Sequence, residues 1–299
     1  MRIATYTHSH ALLADTLRLQ VEYAKAQTQT ATGLKSETYH GLGKQAVQVL
    51  NLEADVRALE TDNQVIETAL QRLNAGYDAV GAVIDLLSAA RAEVNTMSSG
   101  TYSATQIASL ADEWAQDLEA LLNAQHSGRY LFAGSAVSTA PVDLDDPAYL
   151  AATPPSVPDT TYYQGDDRAE ALWLSDGYTK TFGMTARDPG IEMALRAVNL
   201  LRNNPGDETA HTEAYDLFGQ AIDDLAEDRS RLSVEVTSLN NKSDQNVAVA
   251  DQLGGILAGL KEADLAAVST RIASLETQLE ASCSVLTRLS RMSLVDYLA

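Results

Sequence analysis

From Val49 to Val94 the chain keeps a seam at alternating spacings of three and four, with Asn63 and Arg91 as its polar interruptions. Val49, Leu52, Val56, Leu59, Ile66, Leu70 and Leu73 carry its first half, and Tyr77, Val80, Ile84, Leu87 and Val94 its second. A register held over this many heptads predicts one long helix with a coiled-coil seam rather than a surface helix. At ~1.5 Å per residue that helix is a rod of roughly 70 Å. Asn63 falls on the seam, where a buried amide fixes register. Tyr215, Phe218, Ile222, Leu225, Arg229, Leu232, Val236, Leu239 and Leu253 to Leu260 repeat the pattern. Two stripes of matched length, far apart in sequence, predict antiparallel rod helices that bury each other.

The register slips between Leu260 and Leu265, a step of five, and resumes through Val268, Ile272, Leu275, Leu279, Leu286 and Leu289. That slip predicts a break at Lys261-Glu262-Ala263-Asp264 and a separate helix running to about Tyr297. Near the start, Leu12, Leu19 and Ala26 form a weaker stripe with Thr16, Tyr23 and Thr30 in it, closing at Thr32-Gly33. So polar a seam does not hold a helix by itself. The two terminal helices therefore read as partners awaiting something that buries them.

The middle differs. Five of the seven prolines fall between Pro141 and Pro158, which excludes a continuous helix there. Thr160 to Tyr163, Ala169 to Leu174 and Tyr178 to Phe182 read as strands, with turns at Gly165-Asp166 and Asp176-Gly177. Residues 137–186 are thus expected to form a small β-rich insertion at the tip of the rod. A third helix, Ile107 to Gln125, precedes it, and a shorter one, Ile191 to Leu201, follows. The expected order is an inner terminal part (1–44), rod (45–136), insertion domain (137–186), rod (187–261) and a second inner part (262–299).

Candidate chemistry is thin. Gly41-Leu42-Gly43-Lys44 has the spacing of neither phosphate-binding fingerprint and follows no strand, so it reads as a connector. Asp143-Leu144-Asp145-Asp146 starts like a calcium loop, but Pro147 and a missing glycine and terminal glutamate make it a solvated acidic loop. His8-Ser9-His10 lacks an orienting third group. Asp166/Asp167 and Asp223/Asp224 are sequence neighbours and do not face each other across a cleft. Cys283, the one cysteine, reads as a small half-buried hydrophobe. No enzyme, cofactor or metal site is expected. The net charge of −20 and the absence of any run of five Lys/Arg argue against nucleic acid. No stretch reaches the ~18 apolar residues of a membrane span, and residues 1–20 lack a signal-peptide core.

Leu121-Leu122-Asn123-Ala124-Gln125-His126-Ser127-Gly128-Arg129-Tyr130-Leu131-Phe132-Ala133-Gly134-Ser135, followed by Thr139-Ala140-Pro141, resembles the signature of the flagellin family. It is most similar to the version in the hook-associated members beside flagellin. Within it, Asn123, Gly128, Arg129, Tyr130, Leu131, Phe132, Ala133, Gly134 and Pro141 carry the match. The ending Ser293-Leu294-Val295-Asp296-Tyr297-Leu298 resembles the finish of those members, and flagellin's Leu-Leu-Arg ending is absent. Glu262-Ala263-Asp264-Leu265, Leu279-Glu280-Ala281 and Tyr163-Gln164-Gly165-Asp166 are further matches. The connector is a departure: Ala31-Thr32-Gly33-Leu34-Lys35 and Tyr39-His40-Gly41-Leu42-Gly43 replace the family's Ser-Gly-Lys and Pro-Ser-Asp-Asp-Pro.

The resemblance implies a mainly α, flagellin-like fold: a long antiparallel coiled-coil rod, a small β-rich insertion and terminal helices that pair. It implies assembly through Leu12, Leu19, Leu265, Ile272, Leu279, Leu286, Leu289, Leu294, Tyr297 and Leu298. The implied role is a structural adaptor of the extracellular flagellum that joins hook to filament, exported without a cleaved signal. Implied partners are flagellin, the preceding hook-associated protein, a ring of further copies and an export chaperone on the C-terminal helix, with neither nucleic acid nor membrane. A short flagellin that forms the filament itself is the alternative within the family. A glycan- or surface-binding insertion, using Tyr162, Tyr163, Trp173 and Tyr178, is the alternative of another class. Charge by region fits an outward insertion: residues 1–44 hold five basic and three acidic side chains, residues 101–200 five and fourteen.

Overall fold

The computed structural model describes residues 2–97 and 102–298, with side chains for 10–97 and 102–288. Among the described residues six helices dominate: α1 (Arg2–Thr32), α2 (Ala46–Met97), α3 (Ala104–Leu122), α4 (Pro189–Asn203), α5 (Glu208–Lys261) and α6 (Leu265–Leu298). Two short antiparallel pairs complete it, β1 (Gln125–His126) with β2 (Arg129–Tyr130) and β3 (Glu170–Trp173) with β4 (Thr179–Phe182). The chain divides into two compact units, Met1–Arg57 with Val249–Ala299, and Ala58–Ala248.

Helix ends follow local chemistry. Gly33, at φ +70°, stops α1 with its N–H on the Gln29 carbonyl at 2.9 Å. Asp264 starts α6, its Oδ1 accepting from the amides of Ala266 (3.0 Å) and Ala267 (3.1 Å). Ser103 and Gln106 form a reciprocal capping box on α3. That helix ends at Leu122, short of the expected Gln125, because the Asn123 side chain turns away to the backbone of Val142.

The unit Ala58–Ala248 has one continuous core. Rod residues Ile66, Leu73, Leu87, Phe218, Leu225 and Leu239 belong to it, with Trp114 and Leu118 of α3 and Ile191 and Leu195 of α4. Phe132, Val142, Tyr162, Leu172 and Phe182 are buried in the same cluster, so residues 137–186 share the rod's core instead of closing one of their own. Nor does this segment stand at a tip. Asp62, buried and nearer the start of α2 than its end, accepts from the Ser175 amide (3.0 Å) and hydroxyl (2.6 Å). Lys242 of α5 donates to Asp176 at 2.6 Å, so the β3–β4 turn is strapped to both rod helices. Residues 160–163 form no strand. Thr161 turns its amide and hydroxyl onto Asp159, and only a single bridge joins Tyr163 to Val142.

The seam residues taken as interruptions prove to be packed. Arg91 lies over the Tyr215 ring at 4.4 Å from its centroid, and Arg229 over the Tyr77 ring at 4.2 Å. Asn63 Oδ1 and Asn246 Nδ2 are buried without a hydrogen-bond partner among the described residues, the polar cost a register-fixing amide carries. Trp114 meets Phe218 edge-on at 6.3 Å.

Candidate assembly surfaces

In the unit formed by the two chain ends, α1 and α6 pair through a thin seam. Ala26, Val268 and Leu275 are buried, with Leu19, Tyr23, Ala263 and Ile272 packed against them. The polar positions of α1 find local partners: Thr16 donates to the Leu12 carbonyl (2.8 Å), Thr30 to Ala26 (3.0 Å) and Tyr23 to Glu276 (2.6 Å). Arg271 pairs with Glu22. Leu12, Leu279 and Leu286 are half-buried. Leu265 is 49 % exposed, because Asp264 caps the helix there and the seam passes from Ala263 to Val268. Leu13, Leu17 and Val21, spaced by four on α1, are exposed, Val21 by 69 %. His8, Leu289, Leu294, Tyr297 and Leu298 lie outside the residues whose side chains are described. Cys283 is exposed, not half-buried: it faces outward beside the half-buried Ser282.

The divergent connector is built, not slack. Lys35 donates its amide to the Lys261 carbonyl (2.7 Å) and Ala263 its own to Gly33 (2.8 Å), bridging the α1 exit to the α5–α6 break. The Lys35 ammonium caps the last carbonyls of α5, reaching Gly259 (2.6 Å) and Leu260 (3.0 Å), where a cation complements the helix C-terminus. Gly41-Leu42-Gly43-Lys44 lies in a 3-10 helix, Tyr39–Gln45. Glu53 gathers Lys261 at 2.7 Å and the Tyr39 hydroxyl at 2.7 Å.

The hydrogen bond from Lys261, then that from Tyr39, hold the Glu53 carboxyl below the usual carboxylate range. A depressed pKa stabilises above the unfolded value, near 4.3, and the contribution is lost as pH falls through the folded value. Glu53 raises the Lys261 pKa, so that side of the pair is lost only as pH rises past the ordinary lysine range. Hydrogen exchange of residues 34–45 is expected to accelerate as pH drops below that carboxylate value, after correction for intrinsic rates, and Glu53→Gln is expected to remove this acid step. Acid steps of equal size in both proteins would refute it.

The signature residues build a clasp in the other unit. Ser127 (φ +52°) and Gly128 (φ +74°) make the two-residue turn between β1 and β2 that consecutive left-handed conformations require. Arg129 donates to Glu170 at 3.1 Å. Arg72 of α2 pairs with Glu170 at 2.6 Å and donates to the Tyr130 carbonyl at 2.7 Å. Phe132, Ala133, Gly134 and Pro141 are buried and Leu131 half-buried. Asn123 clips the chain after Pro141, donating to the Val142 carbonyl (2.8 Å) and accepting from its amide (3.0 Å).

The clasp closes on the Tyr163-Gln164-Gly165-Asp166 element, which periodicity did not connect with it. Asp166 donates its amide to Ala133 (3.2 Å), and its carboxylate accepts from the Ser135 amide (2.7 Å) and hydroxyl. Those Ser135 bonds hold Asp166 below the usual carboxylate range. Gln164 donates its amide to the Pro141 carbonyl (2.9 Å), and the Tyr163 hydroxyl to the Asp166 carbonyl (2.7 Å), with burial pushing that hydroxyl up to about 12. Gly134, at φ +66°, would put a Cβ 2.2 Å from the Asp166 carbonyl oxygen. These contacts fold the chain back onto the rod.

A cleft of about 610 Å³ opens beside the clasp, floored by Leu73, Phe132, Phe182 and Met184. Its rim charges are paired: Arg72 with Glu170, Arg187 with Asp167, and Arg231 with Asp188 on the rim and with Asp228 just outside it. The expected aromatic platform dissolves. Tyr162 is buried, its hydroxyl donating to the Ala186 carbonyl at 3.0 Å; Tyr163 and Tyr178 are half-buried, and Trp173 alone of the four is exposed. Carboxylates of the acidic loop accept protein hydrogen bonds, Asp143 from the Asp145 amide (3.0 Å) and Asp146 from the Gln164 side chain (2.7 Å). No helix among the described residues is long and apolar enough to cross a membrane.

The bacterial flagellin N-terminal helical region matches residues 3–137, and the bacterial flagellin C-terminal helical region matches residues 215–298, together well over half of the chain. The chain belongs to the flagellin family. Members of this family are structural components of the flagellum rather than enzymes. The fold also matches two solved structures at low identity. One is a Vibrio parahaemolyticus protein assigned as flagellar hook-associated: TM-score 0.62, 16 % identity, 75 % of this chain and 99 % of that one. The other is Bacillus cereus FlgL: TM-score 0.54, 17 % identity, 68 % of this chain and 98 % of that one. No curated protein matches the sequence. This flagellin-family chain thus places its long helices and paired chain ends in the two matched regions, while most of the 137–186 segment lies between them.

Proposed function

We propose that this flagellin-family chain is the adaptor that joins hook to filament, seated between the preceding hook-associated protein and flagellin. The observation that carries the reading is the motif Ser293-Leu294-Val295-Asp296-Tyr297-Leu298, which resembles that of the hook-associated members of the family. The near-complete coverage of two solved structures, one named as flagellar hook-associated and the other as FlgL, supports it, as does a 137–186 segment folded down onto the rod. In this reading a ring of copies packs residues 1–44 and 262–299 inside the axial structure. Residues 45–136 and 187–261 form the next layer and 137–186 the outer face. The exposed Leu13, Leu17 and Val21 supply apolar surface for neighbouring subunits. Export precedes assembly, with a chaperone covering the C-terminal helix until the subunit docks.

Electron microscopy of the concentrated purified protein tests the adaptor reading against a short flagellin. Monomers or short rings are expected. Long filaments formed by this chain alone would overturn the proposal and favour the flagellin reading.

A further inference from the structure

The two rod helices carry the same element. Residues 77–91 and 215–229 both read Tyr-Asp-x-x-Gly-x-x-Ile-Asp-x-Leu-x-x-x-Arg, agreeing at seven of fifteen positions. At all seven the burial agrees as well: both Gly and both Leu buried, both Tyr, Ile and Arg half-buried, all four Asp exposed. In space the copies run in opposite directions and use each other reciprocally. Arg91 stacks on Tyr215 and faces Gly219, whose Cβ would fall 2.8 Å from the guanidinium. Arg229 stacks on Tyr77 and faces Gly81, whose Cβ would fall 3.1 Å from it. Both Arg Nε atoms are buried without a hydrogen-bond partner among the described residues, so ring stacking is the shared interaction at both ends. Each copy thus offers a Tyr-Gly slot and an Arg that fills the other's slot. That is the geometry of a two-fold, self-complementary interface, here folded into one chain.

We propose that this element is a pairing module whose second partner is the same helix of another copy of this chain: α2 with α2, antiparallel, Arg91 of each on Tyr77 of the other. A self-complementary contact does not distinguish a copy in the same chain from one in a second chain. The variable positions select α2 over α5. In α2 they are uncharged throughout, including Leu86, Ala89 and Ala90. In α5 the matching positions are Asp224, Glu227 and Asp228, the first two exposed and the third half-buried, so an α5 pair would gather like charge along the flank of its seam. Chain order supplies the occasion. Synthesis completes the α2 element more than a hundred residues before the α5 element, so the α2 module exists first without its partner in the chain.

The test uses the full chain in a Cys283→Ala background, with one new cysteine at a time. Ile84, midway between Tyr77 and Arg91, lies on the expected two-fold axis and faces the seam; Asp85 beside it faces solvent. Tyr215→Ala with Arg229→Ala withdraws the α5 module. Under mild oxidation, this chain with Ile84→Cys is expected to form disulfide-linked dimers, and the same chain with Asp85→Cys to remain monomeric. Adding Arg91→Ala is expected to abolish the dimer, and the chain with its α5 module intact to give none. Circular dichroism separates folding from pairing: a chain unfolded by the substitutions links both cysteines equally. Equal linking, no dimer from Ile84→Cys, or a dimer indifferent to Arg91→Ala would each overturn the proposal.

Discussion

Gly134→Ala is expected to destabilise the unit Ala58–Ala248 by about 2–5 kcal/mol, the sum of a left-handed backbone penalty and forced displacement of packed atoms. The first part arises because φ is +66°. The second arises because the new Cβ would lie 2.2 Å from the Asp166 carbonyl oxygen, 2.4 Å from its Oδ1 and 3.1 Å from the Arg168 carbonyl oxygen. Two of those atoms are backbone, and the Asp166 amide is fixed to Ala133 while its carboxylate is fixed to Ser135. Relief of the clash therefore opens the clasp. Gly177 supplies the control: its φ is +83°, and a Cβ there meets nothing within 4 Å. Gly177→Ala is expected to cost only the backbone part, about 1–2 kcal/mol. Thermal unfolding followed by near-ultraviolet circular dichroism should show a midpoint roughly 10 °C lower for Gly134→Ala, with exchange protection lost at residues 130–136 and 163–168. Equal midpoints for the two variants would show that the clasp is not closed as described.

Deleting residues 265–299 is expected to remove more helix than it deletes. Among the described side chains α1 buries only Thr16 and Ala26, and its packing partners in the seam are Val268, Ile272 and Leu275. Without α6 the 31 residues of α1 keep backbone hydrogen bonds but almost no buried apolar surface, a condition in which isolated helices are marginal. The far-ultraviolet helical signal should therefore fall by the contribution of both α1 and α6, and amide protection should vanish from residues 10–32. The unit Ala58–Ala248 should keep its own thermal transition, because its core contains no residue beyond Leu239. Retained protection in α1 would show a partner other than α6. In the adaptor reading the truncated chain also fails to enter the axial structure.

Periodicity announced the long helices because seam positions recur every third and fourth residue, a signal that survives without knowing the partner. The break after Lys261 and the stop at Gly33 were legible for the same reason, a skipped register and a glycine able to adopt positive φ. Arg91 and Arg229 were misleading: a hydropathy stripe scores an arginine as an interruption, whereas a guanidinium above a tyrosine ring and against a glycine is packing. Aligning the two stripes with each other, rather than each with a heptad, would have exposed the shared Tyr-Gly-Arg element. The Thr160–Tyr163 strand failed because Asp159 offers Thr161 a local hydrogen bond that competes with sheet pairing.

By itself the sequence determined the mainly helical class, the paired rods and terminal helices, and the resemblance carried by residues 121–141 and 262–298, since each depends on local order along the chain. Only the tertiary structure decided that residues 137–186 share the rod's core, that Ser175 docks on Asp62, and that Gly134 meets Asp166. Those contacts join residues far apart in sequence through single hydrogen bonds and close approaches, which leave no period for a sequence to show.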